Sequence, residues 1–449
     1  MSKRKHTVLL AAISFLLASS IVGAGAWAVS NYAQNIPLIQ SINPNKQKEQ
    51  EQQKPDKETI LLLGAGGKNH DGGGLTDTIM IAQILNKEKQ IHLISLPRDM
   101  LVFDKKGNYS KLNAVYIDAV AEGKTEEESI KVLQDKITEI TGITFDHYAE
   151  VDFEGFVSLV DKLGGIEVDV KEAIDDPYYP GPNYSYQRFT IQPGVQTLNG
   201  ETALKYARSR YTSKGGDLDR SRRQQQILSN VKDRIFSLNP ILDAPKIVSL
   251  LGIAKDSLKT DLSLMEMKDF YDTYKDSKDY TINSVVIGQN LLTGNMKEGT
   301  RQFGANRGYI IEPRIGEQNY LEIKEEIINI NDITAYQEKI TKLIKVKSQL
   351  NIVWGDTITP IQKKHIQEFL EARAFTITAL SSSSTPLSRN PNTNTLYTGN
   401  NPYNTNADNV TEPNISNEYL QSVFKADINT TVSLDTNVPI LYISSDIVF

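Results

Sequence analysis

Between Thr7 and Val29 the chain carries no charged residue, and Lys3, Arg4 and Lys5 stand just before this run. A stretch of that length spans a bilayer core of about 30 Å at a rise of about 1.5 Å per residue. The basic flank belongs on the cytoplasmic side, which puts everything after Val29 outside the membrane. Small residues at Ala24-Gly25-Ala26 and Ala26-Trp27-Ala28 allow a second reading, a cleaved secretory leader, although an h-region is normally shorter. Both readings expect an extracytoplasmic working part. The one adopted is a cytoplasmic tip and single-pass transmembrane helix over residues 1–30, in the cell membrane.

The rest of the chain has the means to fold. Its 449 residues leave room for about two or three domains. Hydrophobic residues at 39% and charged residues at 23% exclude a wholly disordered, collagen-like or polytopic membrane protein. Lys+Arg 49 against Asp+Glu 55 gives −6, mild and of the wrong sign for a general nucleic-acid binder. There is no cysteine, which removes thiol nucleophiles, disulfides and Cys-based metal centres together.

Residues 44–58 hold no apolar side chain, and a polar spacer is expected over 31–58. From Thr59 the pattern changes. Ile60–Leu63, Thr78–Leu85 and Gln90–Leu96 read as strands, the last two joined by a turn at Asn86-Lys87-Glu88. Glu126–Ile140 has apolar residues at Ile130, Val132, Leu133, Ile137 and Ile140 behind an acidic first turn, which predicts a helix. Strands at Asp146–Val151 and Ile166–Val170 flank a helix, Phe153–Leu163, that stops at Gly164-Gly165. A long helix runs from about Arg220 to Ser237, and 240–280 reads as helical. This alternation predicts a layered α/β domain, drawn over 59–345 with its core motifs in 59–237. A small C-terminal α/β domain is expected over 346–449. It joins the strand–helix–strand pattern of Leu350–Leu380 to the apolar strand Val438–Ile443, around a polar loop at 381–416.

Nucleotide and hydrolase signatures fail. Gly64-Ala65-Gly66-Gly67-Lys68 follows a strand but lacks the Gly-Lys-Ser/Thr of a P-loop, and Asn69 spoils G-x-G-x-x-G. No G-x-S-x-G elbow is present, and the five histidines (6, 70, 92, 147 and 365) lack ligand spacing. The arginines stand out instead: of 14, five fall between Arg208 and Arg223. Guanidinium forks bind phosphate oxygens bidentately and stay charged. Arg208 and Arg210 share a face of an extended segment, and Arg220, Arg223 and Gln224 share a face of the following helix. Cations in a helix's first turn oppose its dipole by about 0.3–1 kcal/mol each, unless an anion sits at that helix start. The plainer alternative is a surface salt-bridged to Asp217 and Asp219. The two are compatible if the aspartates cap the helix and orient the arginines.

Asp77 opens a strand after the glycine loop, and Arg98-Asp99 follows Pro97 at the end of the neighbouring strand. These positions permit one shared site at a sheet edge. Carboxylates beside phosphate-binding arginines suit a hard, oxygen-liganded cation, Mg²⁺ or its substitute Mn²⁺. Taken singly, each aspartate is more simply a turn or cap residue.

Five segments then occur in order: TDTIM (76–80), SLPRDM (95–100), KLNAVY (111–116), VDFEGFVSLVDKLGGIEVDV (151–170) and LNGETALKYARSRYTSKGGDLDRSRRQQQIL (198–228). Together they resemble the catalytic domain of the LytR–CpsA–Psr family over about residues 58–237. The resemblance implies a layered α-β-α domain around a central mixed sheet. It also implies an extracytoplasmic phosphotransferase that moves an anionic glycopolymer from a polyprenyl-pyrophosphate carrier onto peptidoglycan, forming a phosphodiester. Its partners would be the lipid-linked glycopolymer, the peptidoglycan acceptor and, through the N-terminal helix, the membrane. In family terms Asp77 and Asp99 take the metal and acidic positions. Arg98, Arg208, Arg210 and Gln224 match pyrophosphate-contacting positions, with Arg220 and Arg223 in the same motif. Lys111 and Asn113 match a motif that shapes the pocket. The catalytic set is therefore Asp77, Asp99, Arg98, Arg208 and Arg210. Two departures stand against it. Family members commonly have Asp at or near Gly66, for which Asp71 is the available substitute, and Arg two residues before Asp77, where this chain has Leu75. These departures favour a rival reading, a non-catalytic envelope protein that binds lipid-linked or wall glycans. A third reading is a hydrolase of the lipid-linked pyrophosphate, with water as acceptor.

Overall fold

The computed structural model describes residues 55–67, 74–181, 185–209, 217–236, 258–263, 266, 280–288, 296–355, 358–380, 395–397, 415–424, 427–429 and 440–443. The expected membrane run, most of the spacer, Asp71 and Arg210 lie outside the described residues. Among the described residues no helix is long and apolar enough to cross a membrane.

The first two thirds of the chain build one large mixed sheet. Its strands include β1 (Lys57–Ala65), β2 (Thr76–Leu85) and β3 (Gln90–Leu96), followed by a small hairpin of β4 (Leu101–Phe103) and β5 (Tyr109–Lys111). Helices α1 (Val115–Ala121) and α2 (Glu126–Thr141) come next, then β6 (His147–Asp152), α3 (Phe153–Lys162) and β7 (Ile166–Val170). Strands β8 (Ile174–Pro180) and β9 (Tyr186–Ile191) pair with each other, and β10 (Gly194–Leu198) pairs with β7. Helices α4 (Gly200–Arg208) and α5 (Asp217–Phe236) lead to β11 (Leu258–Thr260) and β12 (Thr281–Val286). The sheet runs β11-β6-β1-β2-β3-β12. Strands β1, β3, β6 and β12 point the same way, and β2 and β11 run against them.

Each central strand is a run of Ile, Leu, Met and Ala, the signature of a sheet buried on both faces. Ile60, Leu62, Met80 and Leu93 face a core completed by Val160, Ala203, Tyr206, Ile227 and Val231 of α3, α4 and α5 and by Leu163, which caps α3. The alternate side chains, Leu61, Leu63, Ile79, Ile81 and Ile94, are equally buried. α2 contributes Ile130, Leu133, Ile137 and Ile140, buried outside that first cluster. A mixed α/β fold with a central mixed sheet is thus what this pattern produces. Part of 240–280 departs from the helical reading: Leu258–Thr260 is a strand, added antiparallel to β6.

Contacts divide the chain into two compact units, the second taking Glu312–Phe449 with the short pieces Glu139–Gly142 and Asn290–Gly299. The boundary drawn at 345 therefore falls inside the second unit. A hairpin of β13 (Met296–Phe303) and β14 (Asn306–Pro313), whose residues Thr300–Ile311 group with the first unit, precedes α6 (Leu321–Ile328) and α7 (Ile333–Val346) of the second. The second unit continues with β15 (Gln349–Trp354), α8 (Pro360–Glu371), β16 (Thr376–Leu380), β17 (Thr395–Tyr397), α9 (Ile415–Phe424), β18 (Asp427–Asn429) and β19 (Ile440–Ile443). Its sheet runs β16-β15-β19-β17-β18, so the strand–helix–strand piece and the last apolar strand meet side by side. α8 begins with a capping box, Thr359 and Gln362 exchanging side-chain and backbone bonds around Pro360. The expected polar loop is not loop throughout, since β17 lies within it. Ile340 and Leu343 of α7 share the second unit's core with Phe369, Tyr419 and Leu441. That packing is why 312–345 belongs with the C-terminal part.

Candidate active site

One end of the large sheet collects the carboxyl ends of all four parallel strands. Ala65 pairs with both Thr76 and Asp152 there, Leu96 with Ile79, and Val286 with Ser95. Ligands of open α/β sheets bind in the crevice outside such strand ends. Beyond β1, Gly67 takes φ +86°, and a Cβ on it would stand 3.2 Å from that of Asp152. Gly66 is buried and Leu75 half-buried.

Asp77 is the second residue of β2. Pro97 ends β3 because it has no N–H to give the ladder, and the chain turns with Met100 N–H donating to the Pro97 carbonyl at 3.1 Å. The turn presents Arg98 and Asp99. Leu112 N–H donates to the Met100 carbonyl at 2.8 Å and Asn113 N–H to that of Arg98 at 3.0 Å, stitching the Lys111–Asn113 segment alongside. Thr76 Oγ1 closes the group by donating to the Asn113 carbonyl at 3.3 Å. Asn113 Oδ1 is buried with no hydrogen-bond partner among the described residues.

The side chains follow this backbone. Arg98 Nη1 pairs with Asp77 Oδ1. Arg98 Nε lies 3.5 Å from Asp99 Oδ2, and Lys111 Nζ donates to Asp99 Oδ1 at 2.7 Å. Asp77–Arg98–Asp99–Lys111 is therefore one chain of alternating charge. Each cation is aimed by a carboxylate, the kind of support that holds a site in place before its ligand arrives. Phe303 lies 5.9 Å beneath Lys111 Nζ.

A second arm reaches the same end of the sheet. Asp152 caps α3, accepting from Gly155 N–H at 2.7 Å. Phe153 follows, and the Arg208 guanidinium sits 4.2 Å from its ring centroid, a cation–π contact. Arg208 also donates to the Tyr179 hydroxyl at 3.4 Å. Burial pushes the Tyr179 phenol up, against the pull of Arg208. Arg208 stands in the last turn of α4, where a cation suits the dipole.

The arginines of α5 have partners of their own. Arg223 is buried, and its fork is spent on backbone: Nε donates to the Tyr206 carbonyl at 2.9 Å and Nη2 to that of Ser209. Burial lowers its guanidinium from the usual value. Arg220 is buried and Gln224 half-buried. Arg222 pairs with Asp219 at 2.6 Å, so that part of the cluster is the salt-bridged surface. α5 begins at Asp217, which moves Arg220 past the first residues of the helix. Sequence reading gave no role to Phe153 and Tyr179, which hold Arg208, or to Ser209 and Asp176. Phe153 lies inside a quoted motif and was findable there, whereas nothing around Asp176 marks it.

Among the described residues no three His, Cys, Asp or Glu side chains gather as a metal site. Asp77 and Asp99 supply hard oxygens on either side of Arg98. That donor set fits Mg²⁺ only in the manner of carboxylates completed by substrate phosphates.

The sequence model of the LytR_cpsA_psr family matches residues 29–312. The chain belongs to that family. The match ends where the second compact unit begins, at Glu312. Among curated LytR–CpsA–Psr relatives, the cell wall biosynthesis protein LcpA of Corynebacterium glutamicum is 32% identical over 46% of this chain and 41% of its own. This chain thus spans about two fifths of LcpA. The polyisoprenyl-teichoic acid–peptidoglycan teichoic acid transferase TagU of Enterococcus faecalis is 28% identical over 73% of this chain and 98% of its own. TagV of Bacillus subtilis, of the same named activity, is 28% identical over 69% and 74%. The crystal structure of that TagV covers 63% of this chain and 99% of its own at 27% identity, with a TM-score of 0.45.

Proposed function

We propose that this chain is a glycopolymer–peptidoglycan phosphotransferase. It moves an anionic glycopolymer from a polyprenyl-pyrophosphate carrier onto peptidoglycan, at the outer face of the membrane that its N-terminal run anchors it to. The named activity of TagU and TagV supports the transfer. The observation that carries the reading is the Asp77–Arg98–Asp99–Lys111 charge chain at the sheet's carboxyl end, with Arg208 at the same end.

The reaction is a displacement at phosphorus. A glycan hydroxyl attacks the phosphate bonded to the polymer's reducing end and loses its proton. The bond to the bridging oxygen breaks, and polyprenyl phosphate leaves with that oxygen. Splitting a pyrophosphate provides the driving force, so no nucleotide is required. Arg98, Arg208 and Arg210 bind and align the diphosphate and neutralise charge on the transferred and departing groups. Lys111 keeps Asp99 turned toward Arg98. Asp77 and Asp99, with phosphate oxygens, would hold Mg²⁺ or Mn²⁺, which when bound polarises a phosphoryl oxygen.

The test incubates the full chain with Mg²⁺, a short-chain polyprenyl-pyrophosphoryl glycan and peptidoglycan fragments, with and without chelator. Mass spectrometry should find a phosphodiester-linked conjugate that disappears when the metal is removed. Free phosphorylated glycan instead would identify the hydrolase. Binding without any product would identify the glycan-binding protein, the reading that Gly66 and Leu75 favour.

A further inference from the structure

We propose that Arg223 is a positioning residue for Arg208, clamping Ser209 together with Asp176, and that it does not itself contact phosphate. The inference rests on the reading of Arg208 as a pyrophosphate contact.

The last carbonyls of a helix have no partner within it. In α4 the Lys205 carbonyl is used by Ser209 N–H at 3.0 Å, and the Tyr206 carbonyl is taken by Arg223 Nε at 2.9 Å. The same guanidinium reaches the Ser209 carbonyl, one residue past the helix. A planar fork with fixed geometry suits this double bridge, and an ammonium does not. Ser209 is extended, at φ −59° and ψ 144°. Its hydroxyl donates inward to Asp176 Oδ2 at 2.7 Å, and Asp176, 1% exposed, accepts Tyr178 N–H on its other oxygen at 3.0 Å. Tyr206 is fastened too, its hydroxyl donating to Gln226 Oε1 at 2.7 Å. Arg208 is the last residue of α4 and Ser209 its C-cap, so fixing Ser209 inward fixes the backbone from which Arg208 projects over Phe153. Arg223 is 9% exposed with both arms of its fork engaged, which leaves it poorly placed to meet a diphosphate.

Turnover of the full chain on a short-chain polyprenyl-pyrophosphoryl disaccharide and a muropeptide acceptor tests this. Arg208→Ala is the reference. If it leaves kcat unchanged, the transferase site fails before the clamp is in question. Given a loss there, Arg223→Lys keeps the charge but has one nitrogen where the fork places two, so it does not reproduce the bridge, and kcat should fall about 100-fold, the cost of a small misplacement. KM should change far less. The double variant Arg208→Ala/Arg223→Lys should be no slower than Arg208→Ala alone, because Arg223 acts through Arg208. Losses that multiply, or a lysine variant near wild type beside a dead Arg223→Gln, would overturn the proposal. Should circular dichroism show Arg223→Lys unfolded, Ser209→Ala decides. It removes one bond to a charged group and leaves every arginine, so kcat should fall roughly tenfold. Wild-type turnover in that variant would overturn the proposal as well.

Discussion

Each of the two units sets an arginine between two carboxylates, and the surroundings are opposite. Arg98 pairs with Asp77 and Asp99 with its side chain 19% exposed. Arg373 pairs with Glu322 and, at 2.6 Å, with Glu325, with its side chain 3% exposed. α6 provides both glutamates, and the tyrosines come from α7 and α9: Arg373 donates to the Tyr336 and Tyr419 hydroxyls at 3.2 Å each. Burial works against its charge, but Glu325, Tyr419, Tyr336 and Glu322 outweigh it and keep the guanidinium charged. Arg373 is a staple through the second unit's helices. The two clusters are chemically alike and differ in access to water. A half-open pair can trade a carboxylate for a phosphate, whereas a closed one holds its partners for the life of the fold. Carboxylate–guanidinium contact alone therefore does not mark a site.

The largest effect that would sharpen this contrast is on chemistry. Arg98→Ala should lower transfer about 1,000-fold, as loss of a charge-stabilising group does, and shift unfolding by less than about 1 kcal/mol because the pair is partly solvated. Next in size, Arg373→Ala leaves Glu325 buried without its cation, while Glu322 keeps Arg314 Nη2 at 2.5 Å, and should cost about 3 kcal/mol in urea unfolding. Reversal of the two outcomes would break the comparison. The smallest effect concerns an intermediate case at the far end of the large sheet. His147 Nδ1 lies 3.3 Å from Asp261, its side chain 27% exposed. The hydrogen bond to Asp261 raises its pKa above the ordinary 6.5, outweighing burial. A raised value means the folded state holds the proton more tightly. The contribution is thus fully present below pH 6.5 and lost as pH rises through the higher folded value. Melting curves should show a small decline over that window, absent in His147→Gln.

The central strands β1, β2, β3 and β6 and helices α2, α3 and α5 were legible because their signals are local, whereas β11 was read as helix and β12 was not read as a strand. Apolar runs bounded by Gly64, Asn86 and Pro97 gave strands, and the spacing from Ile130 to Ile140 gave α2. Where the two units part is not legible locally, because α6 and α7 look alike whichever core they join. What decides is the packing of Ile340 and Leu343 beside Phe369. At the site, Asp77, Arg98 and Asp99 were recognisable by position along neighbouring strands, and they do meet. Arg223 was not separable from its neighbours. A spacing of three and four puts it on one helical face with Arg220 and Gln224, but no period reports that the backbone of Tyr206 and Ser209 lies against that face.

The order β16-β15-β19-β17-β18 places the last strand of the series in the middle of its sheet. Among the described residues, 440–443 alone bridge β15 and β17. A ribosome delivers them after the four strands they join, so the second unit's sheet stays in two halves until synthesis has reached Ile443. Its folding is in that sense a late event that the first unit need not await.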